Sequence, residues 1–186
     1  MKSSKTKNLN EIIEEALLMN KNIVVSYPAC CPKDEDNYII SRSGTKSRAI
    51  ALTEVTSIYQ HVKNGKIDIL VIDEVQFLAT NRDEIDDFKF LMKYCEKNDI
   101  EVICAGLDMD FAESTFPILE WLLSYADEVI KLVSICDDCK CKNGRRSTRF
   151  IDGIIADKDR DSLELEDSNV SYKSLCVKCY NKYYSV

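Results

Sequence analysis

The stretch IDILVI at 67–72, running into Asp73-Glu74, restricts the possible folds more than any other part of the chain. It is short, almost wholly apolar, and stops at two adjacent carboxylates. A strand that is apolar on both faces must be covered on both faces, as in a parallel sheet flanked by helices. NIVVSY at 22–27, IEVICA at 100–105 and EVIKLVSI at 128–135 read as strands too. Helical spacing fills the intervals. Leu9, Ile12, Ile13, Ala16 and Leu17 share one face within 8–19, and Ile85, Phe88, Leu91, Met92 and Cys95 share one within 82–97. Further helices are predicted over 53–63 and 116–125, while 28–47 reads as a loop. Strands alternating with helices predict an α/β fold with a mostly parallel sheet. In such sheets ligands collect beyond the carboxyl ends of the strands. Asp73 and Glu74 stand at such an end. Either they serve Mg²⁺ and proton transfer in phosphoryl chemistry, or they simply leave the sheet and cap the next helix.

After residue 135 the pattern changes. Cys136, Cys139, Cys176 and Cys179 form two C-x-x-C pairs separated by 36 residues, in a segment with no long apolar run. Two such pairs supply the four thiolates of a tetrahedral zinc site, and metal binding then holds a short, loop-rich segment folded. Four thiolates leave no open position, so the zinc is expected to be structural; a dithiol redox pair is the alternative reading. Cys141 reads as a bystander, and Cys30, Cys31, Cys95 and Cys104 as small hydrophobes. Arg145, Arg146 and Arg149 cluster between the pairs. They are either a solvated basic turn or a lid that carries guanidinium groups to phosphates. Trp121 reads as core, and His61 has no visible partner.

Charge limits the partners. There are 32 acidic and 25 basic residues, for a net charge of −7. That argues against nucleic-acid and membrane-surface binding, both of which favour a basic face. A length of 186 residues suits one domain with a small appendage, divided here as 1–135 and 136–186. No run approaches the ~18 apolar residues of a membrane span, and the first 20 residues lack the apolar core of a signal peptide. The expected location is cytoplasmic.

Six motifs in one order resemble the type II thymidine kinases, the zinc-containing cellular and bacterial class. MKSSKT at 1–6 resembles the second half of the phosphate loop G-P-M-F-S-G-K-[ST]. SRSGTKSRAI at 41–50 resembles S-H-D-G-T-x-x-x-A-I. VIDEVQFL resembles I-D-E-x-Q-F, and CAGLDMDF with Phe116 resembles A-G-L-D-x-D-F-x-x-x-P-F. ADEVIKLVSICDDC and the closing Tyr172-x-x-x-Cys176-x-x-Cys179 complete the series. The resemblance implies a P-loop-type α/β core with a small C-terminal zinc-ribbon or lasso subdomain. It also implies an ATP-dependent transfer of phosphate to the 5′-hydroxyl of thymidine. Glu74 would be the general base. Ser3, Ser4, Lys5, Thr6 and Asp73 would serve ATP and Mg²⁺. Met1, Gln76, Phe77, Leu107, Phe111, Phe116 and Tyr172 would contact the nucleoside, and a homotetramer is the implied assembly.

The sequence departs from the family at several points. No strand or Gly-Pro precedes Met1, so the first strand of the sheet is expected to be missing. Ser4 replaces the glycine before Lys5. Ala112-Glu113-Ser114-Thr115 lacks the family's arginine and proline, and Asp167-Ser168 stands where Gly-Gly precedes the lasso tyrosine. These departures keep a second expectation open: a zinc protein of this kind that binds nucleoside without productive ATP binding.

Overall fold

A computed structural model describes residues 5–31, 38–40, 46–52, 54–159 and 169–184. Met1, Ser3, Ser4 and the Asp167-Ser168 pair lie outside them. The chain forms two compact units. One comprises Lys5–Leu107 and Pro117–Tyr125, the other Asp108–Phe116 and Ala126–Val186.

The first unit is built on a parallel sheet. Its strands are β1 (Ile23–Pro28), β4 (Ile50–Leu52), β5 (Ile69–Ile72) and β6 (Glu101–Cys104), in the order β4-β1-β5-β6. All three pairings are parallel, and Val25, Val71 and Ile103 lie side by side across them. Every residue of β5 is buried. Ile69 and Val71 face helix α1 (Lys5–Leu18), packing with its Leu9, Ile13 and Ala16. Successive side chains on a strand point to opposite faces. Leu70 and Ile72 therefore face away from α1, toward the side covered by α2 (Val55–Asn64) and α3 (Arg82–Lys97). The doubly apolar strand is thus covered twice, as its sequence requires. Helix α4 (Pro117–Tyr125) completes this unit; its Trp121 stacks on Tyr125 at 4.3 Å and meets the edge of Phe88 at 6.4 Å.

Two expectations need correcting. Residues 28–47 are not all loop: β2 (Tyr38–Ile40) and β3 (Lys46–Arg48) form an antiparallel pair, and Ile39 is fully buried. Residues 128–135 do not form a strand. Among the described residues their one β-bridge joins Ser134 to Gly144. Val129, Ile130, Leu132, Val133 and Ile135 are all exposed. Apolar β-branched residues favour extended backbone, but a strand also needs a neighbour to satisfy its N–H and C=O groups.

Helix α3 spans 82–97 as its periodicity predicts, and its start has a local cause. The Asn81 side chain accepts the Glu84 N–H at 3.0 Å, while the Glu84 carboxylate accepts back from the Thr80 and Asn81 N–H groups. This reciprocal capping satisfies donors the helix cannot. Asn81→Ala is expected to cost about 1 kcal/mol and to lower Tm by about 2–4 °C in a thermal melt.

The second unit contains a three-stranded antiparallel sheet, order β8-β7-β9, followed by a short helix. Its elements are β7 (Arg146–Ile151), β8 (Ile154–Ile155), β9 (Val170–Leu175) and α5 (Val177–Tyr183). β7 turns into β8 through Asp152-Gly153, whose φ values are +51° and +78°. A two-residue hairpin with both φ positive matches the natural twist of the strands, which is why Asp-Gly sits there.

Candidate functional site

In the first unit the two adjacent carboxylates leave the sheet in different ways. Asp73 is fully buried, and its N–H donates to Ser26 O at 2.9 Å, extending the β1–β5 ladder by one rung. Its carboxylate accepts the Glu74 N–H at 3.0 Å through Oδ1 and the Thr6 hydroxyl at 3.5 Å through Oδ2. Thr6 and Lys5 lie in the first turn of α1, both half-buried. The fold therefore brings Thr6 and Asp73 together across 67 positions of sequence.

Glu74 adopts φ +52° and ψ +41°, the left-handed region. A side chain there costs about 1–2 kcal/mol. The turn is held against that cost from both sides. Val75 N–H donates to Ala105 O at 3.0 Å, and Ala105 N–H to Ile72 O at 2.8 Å. The Glu74 side chain is half-buried and its Oε2 accepts from Gln76 Nε2 at 2.7 Å. The other end of the Gln76 amide accepts the Leu107 N–H at 3.1 Å. Gln76 is fully buried, so it fixes Glu74 relative to the backbone at Leu107. Phe77 is half-buried in the same short turn, Val75–Phe77. Motif spacing named Gln76 but could not reveal this bridge, which joins residues 31 apart.

Gly106 makes the bridge possible. A Cβ there would lie 2.6 Å from Gln76 Oε1 and 3.0 Å from Val75 Cγ1. Gly106→Ala is expected to push Gln76 off Leu107 and destabilise the unit by about 1–3 kcal/mol, seen as a lower urea midpoint.

In the second unit the four predicted cysteines converge. The sulfurs of Cys136, Cys139, Cys176 and Cys179 all lie within 4.8 Å of one another, and Cys139 and Cys176 are 3.7 Å apart. Sulfurs around a tetrahedral zinc at ~2.3 Å sit about 3.8 Å from each other. The set therefore fits a zinc ion, and the cluster could hold one. Burial pushes the Cys136 thiol up, but N–H groups of Cys176, Cys139 and Asp138 outweigh it and bring the thiol down to about 6. Both knuckles are fastened. Asp137 exchanges two 2.8 Å hydrogen bonds with the Ser174 backbone, and Cys176, at the N-terminal boundary of α5, accepts the Tyr180 N–H through its backbone carbonyl at 2.9 Å. Cys141 is exposed. Cys95 is fully buried, and burial pushes its thiol up to about 11, as befits a small hydrophobe.

The arginine cluster divides in the fold: Arg145 is exposed, Arg146 half-buried and Arg149 buried. Arg149 is 1% exposed, and its guanidinium carbon lies 3.9 Å from the centre of the Phe111 ring. Arg146 pairs with Glu113 at 2.7 Å, and Arg145 Nε donates to Asn143. Tyr172 lies on β9 directly opposite Arg149, half-buried. Phe111 and Phe116 are both buried. His61 is exposed, its Nδ1 3.0 Å from Ser57 O. Among the described residues no helix is long and apolar enough to cross a membrane.

Comparison with known proteins gives a consistent result. The sequence model of the thymidine kinase family matches residues 1–180. A thymidine kinase of Mycoplasma mobile is 37% identical over 144 residues, covering 77% of this chain and 64% of that protein. The aligned part thus spans less than two thirds of the Mycoplasma protein. A thymidine kinase of Pseudothermotoga lettingae is 27% identical over 183 residues, covering 98% of this chain and 91% of that protein.

Proposed function

Because this chain belongs to the thymidine kinase family, we propose that it transfers the γ-phosphate of ATP to the 5′-hydroxyl of thymidine. The observation that carries this reading is the Asp73-Glu74 pair at the carboxyl end of β5, with Glu74 held by Gln76. Glu74 takes the proton of the 5′-hydroxyl as its oxygen attacks the γ-phosphorus; ADP leaves. Lys5, in the first turn of a helix whose N–H groups favour anions, serves the phosphates. Thr6 and Asp73 would hold Mg²⁺, which neutralises phosphate charge when bound. Ser3 and Ser4 keep the ATP role, and Met1, Gln76, Phe77, Leu107, Phe111, Phe116 and Tyr172 the nucleoside role, that the motifs imply. The four cysteines hold a structural zinc. The core and the zinc-bearing segment act as kinase body and lid, in a cytoplasmic homotetramer.

The test is phosphorylation of radiolabelled thymidine with ATP and Mg²⁺, beside the other nucleosides. Labelled thymidine monophosphate, formed in preference to other products, is expected. Absence of any product overturns the reading, and thymidine binding without turnover would mark a binding protein instead.

A further inference from the structure

The segment Asp108–Phe116 carries two of the residues assigned to the nucleoside, Phe111 and Phe116. It shapes itself: Asp110 Oδ1 accepts the N–H groups of Ala112 at 2.8 Å and Ser114 at 2.9 Å, and Met109 bridges Thr115. Its placement within the second unit comes from outside. Tyr180 donates its hydroxyl to Phe111 O at 3.2 Å, and Arg149 covers the Phe111 ring. Glu113 makes two ion pairs, Oε1 to Arg146 Nε at 2.7 Å and Oε2 to Lys158 Nζ at 2.9 Å. These anchors lie close in structure to the cysteines. Tyr180 follows Cys179, and Arg146 and Arg149 lie on β7, paired along its length with β9, which runs into Cys176. Lys158 packs over the rings of Tyr180 and Tyr184 at 4.9 and 4.7 Å.

Glu113 pays for this position in its backbone. Its φ is +66°, a conformation glycine adopts freely and glutamate does not. A glutamate at such a place is accounted for by what its carboxylate holds.

We propose that Glu113 is a positioning residue for the nucleoside: its two ion pairs tie Asp108–Phe116 to the cysteine-bearing elements, so that metal loading and nucleoside binding each strengthen the other. The coupling rests on the nucleoside reading above, and is reciprocal by thermodynamic linkage. The paired side chains are 28–35% exposed, so the effect is modest.

Glu113→Gln tests it, with Glu113→Gly as a second variant that relieves the backbone and so guards against simple misfolding. Both are expected to raise the thymidine KM about three- to tenfold with kcat unchanged. Both are expected to speed amide exchange across 108–116. In the zinc-loaded wild type, saturating thymidine is expected to slow zinc release to a chelator, and Glu113→Gln to lose that slowing. Wild-type KM and exchange in Glu113→Gln, or zinc release indifferent to thymidine in a wild type shown to bind it, overturns the proposal. If the wild type neither phosphorylates nor binds thymidine, the nucleoside reading alone falls. Exchange measured without nucleoside then decides the tie itself: faster in Glu113→Gln upholds it, unchanged overturns it.

Discussion

Replacing Glu74 by glutamine is expected to lower kcat for thymidine about 10²–10⁴-fold and to leave the thymidine KM close to wild type. Glutamine keeps the size of the side chain, and its oxygen can still accept from Gln76 Nε2, which now meets Glu74 Oε2 at 2.7 Å. What it cannot do is accept the proton of the attacking hydroxyl. Initial-rate kinetics separate the two quantities. An equal fall in binding would mean Glu74 holds substrate; activity near wild type would remove it from the chemistry. Glu74→Gly sharpens the point. It should be as inactive, yet its Tm should stay near wild type, because relief of the +52° backbone offsets the acceptor that Gln76 Nε2 loses. An inactive variant that is no less stable would show that the strain at this residue is tolerated for function.

The second large effect is expected on removing metal. Chelation, or Cys136→Ser, should unfold the cysteine-bearing part of the second unit. Structural zinc sites of this kind supply about 10–16 kcal/mol of apparent binding energy, which is also folding energy. The local apolar cluster that would remain is small: Leu175 and Tyr180 beside the cysteines themselves, with Tyr184 against them. One zinc per chain is expected by elemental analysis. On chelation, amide protection should vanish along β7 and β9, and near-ultraviolet dichroism from Tyr172, Tyr180, Tyr183 and Tyr184 should collapse. The sheet of the first unit, with its own core around Leu9, Ile13, Val25 and Val71, should keep its protection. Unchanged protection in β9 after complete metal loss would show that the hairpins fold without it.

Much of this architecture is legible in the chain because the signals are local. Helix α3 has five apolar residues at helical spacing, and its limits match the periodicity. The β5 run is apolar without interruption, and a strand of that kind has few alternatives. The errors lie where pairing decides. Residues 38–48 look like polar loop because the antiparallel β2–β3 pair is held by backbone groups, and only Ile39 is fully buried there among its described residues. Residues 128–135 look like strand from composition, yet apolar extended backbone does not make a strand without a partner. The four cysteines could be grouped from spacing alone, since two knuckles on one ion form a nearly closed geometric problem. The Gln76 bridge and the Arg149–Phe111 stack join residues 31 and 38 apart, and nothing local to either partner announces them. Arg149 is the plainest instance: in sequence it belongs to a basic cluster, whereas in the fold it is among the most deeply buried large side chains.

The Gln76 amide carries one further consequence. A backbone N–H can only donate, so the contact with Leu107 obliges the amide oxygen to face it and the NH₂ to face Glu74. Oε2 of Glu74 is thereby committed as an acceptor. On the role proposed for Glu74, the two oxygens of its carboxylate are not equivalent: Oε2 already accepts one hydrogen bond, and Oε1 is the more open acceptor for the proton from the sugar. The orientation of one neutral side chain thus biases a symmetric base toward one oxygen before any substrate arrives.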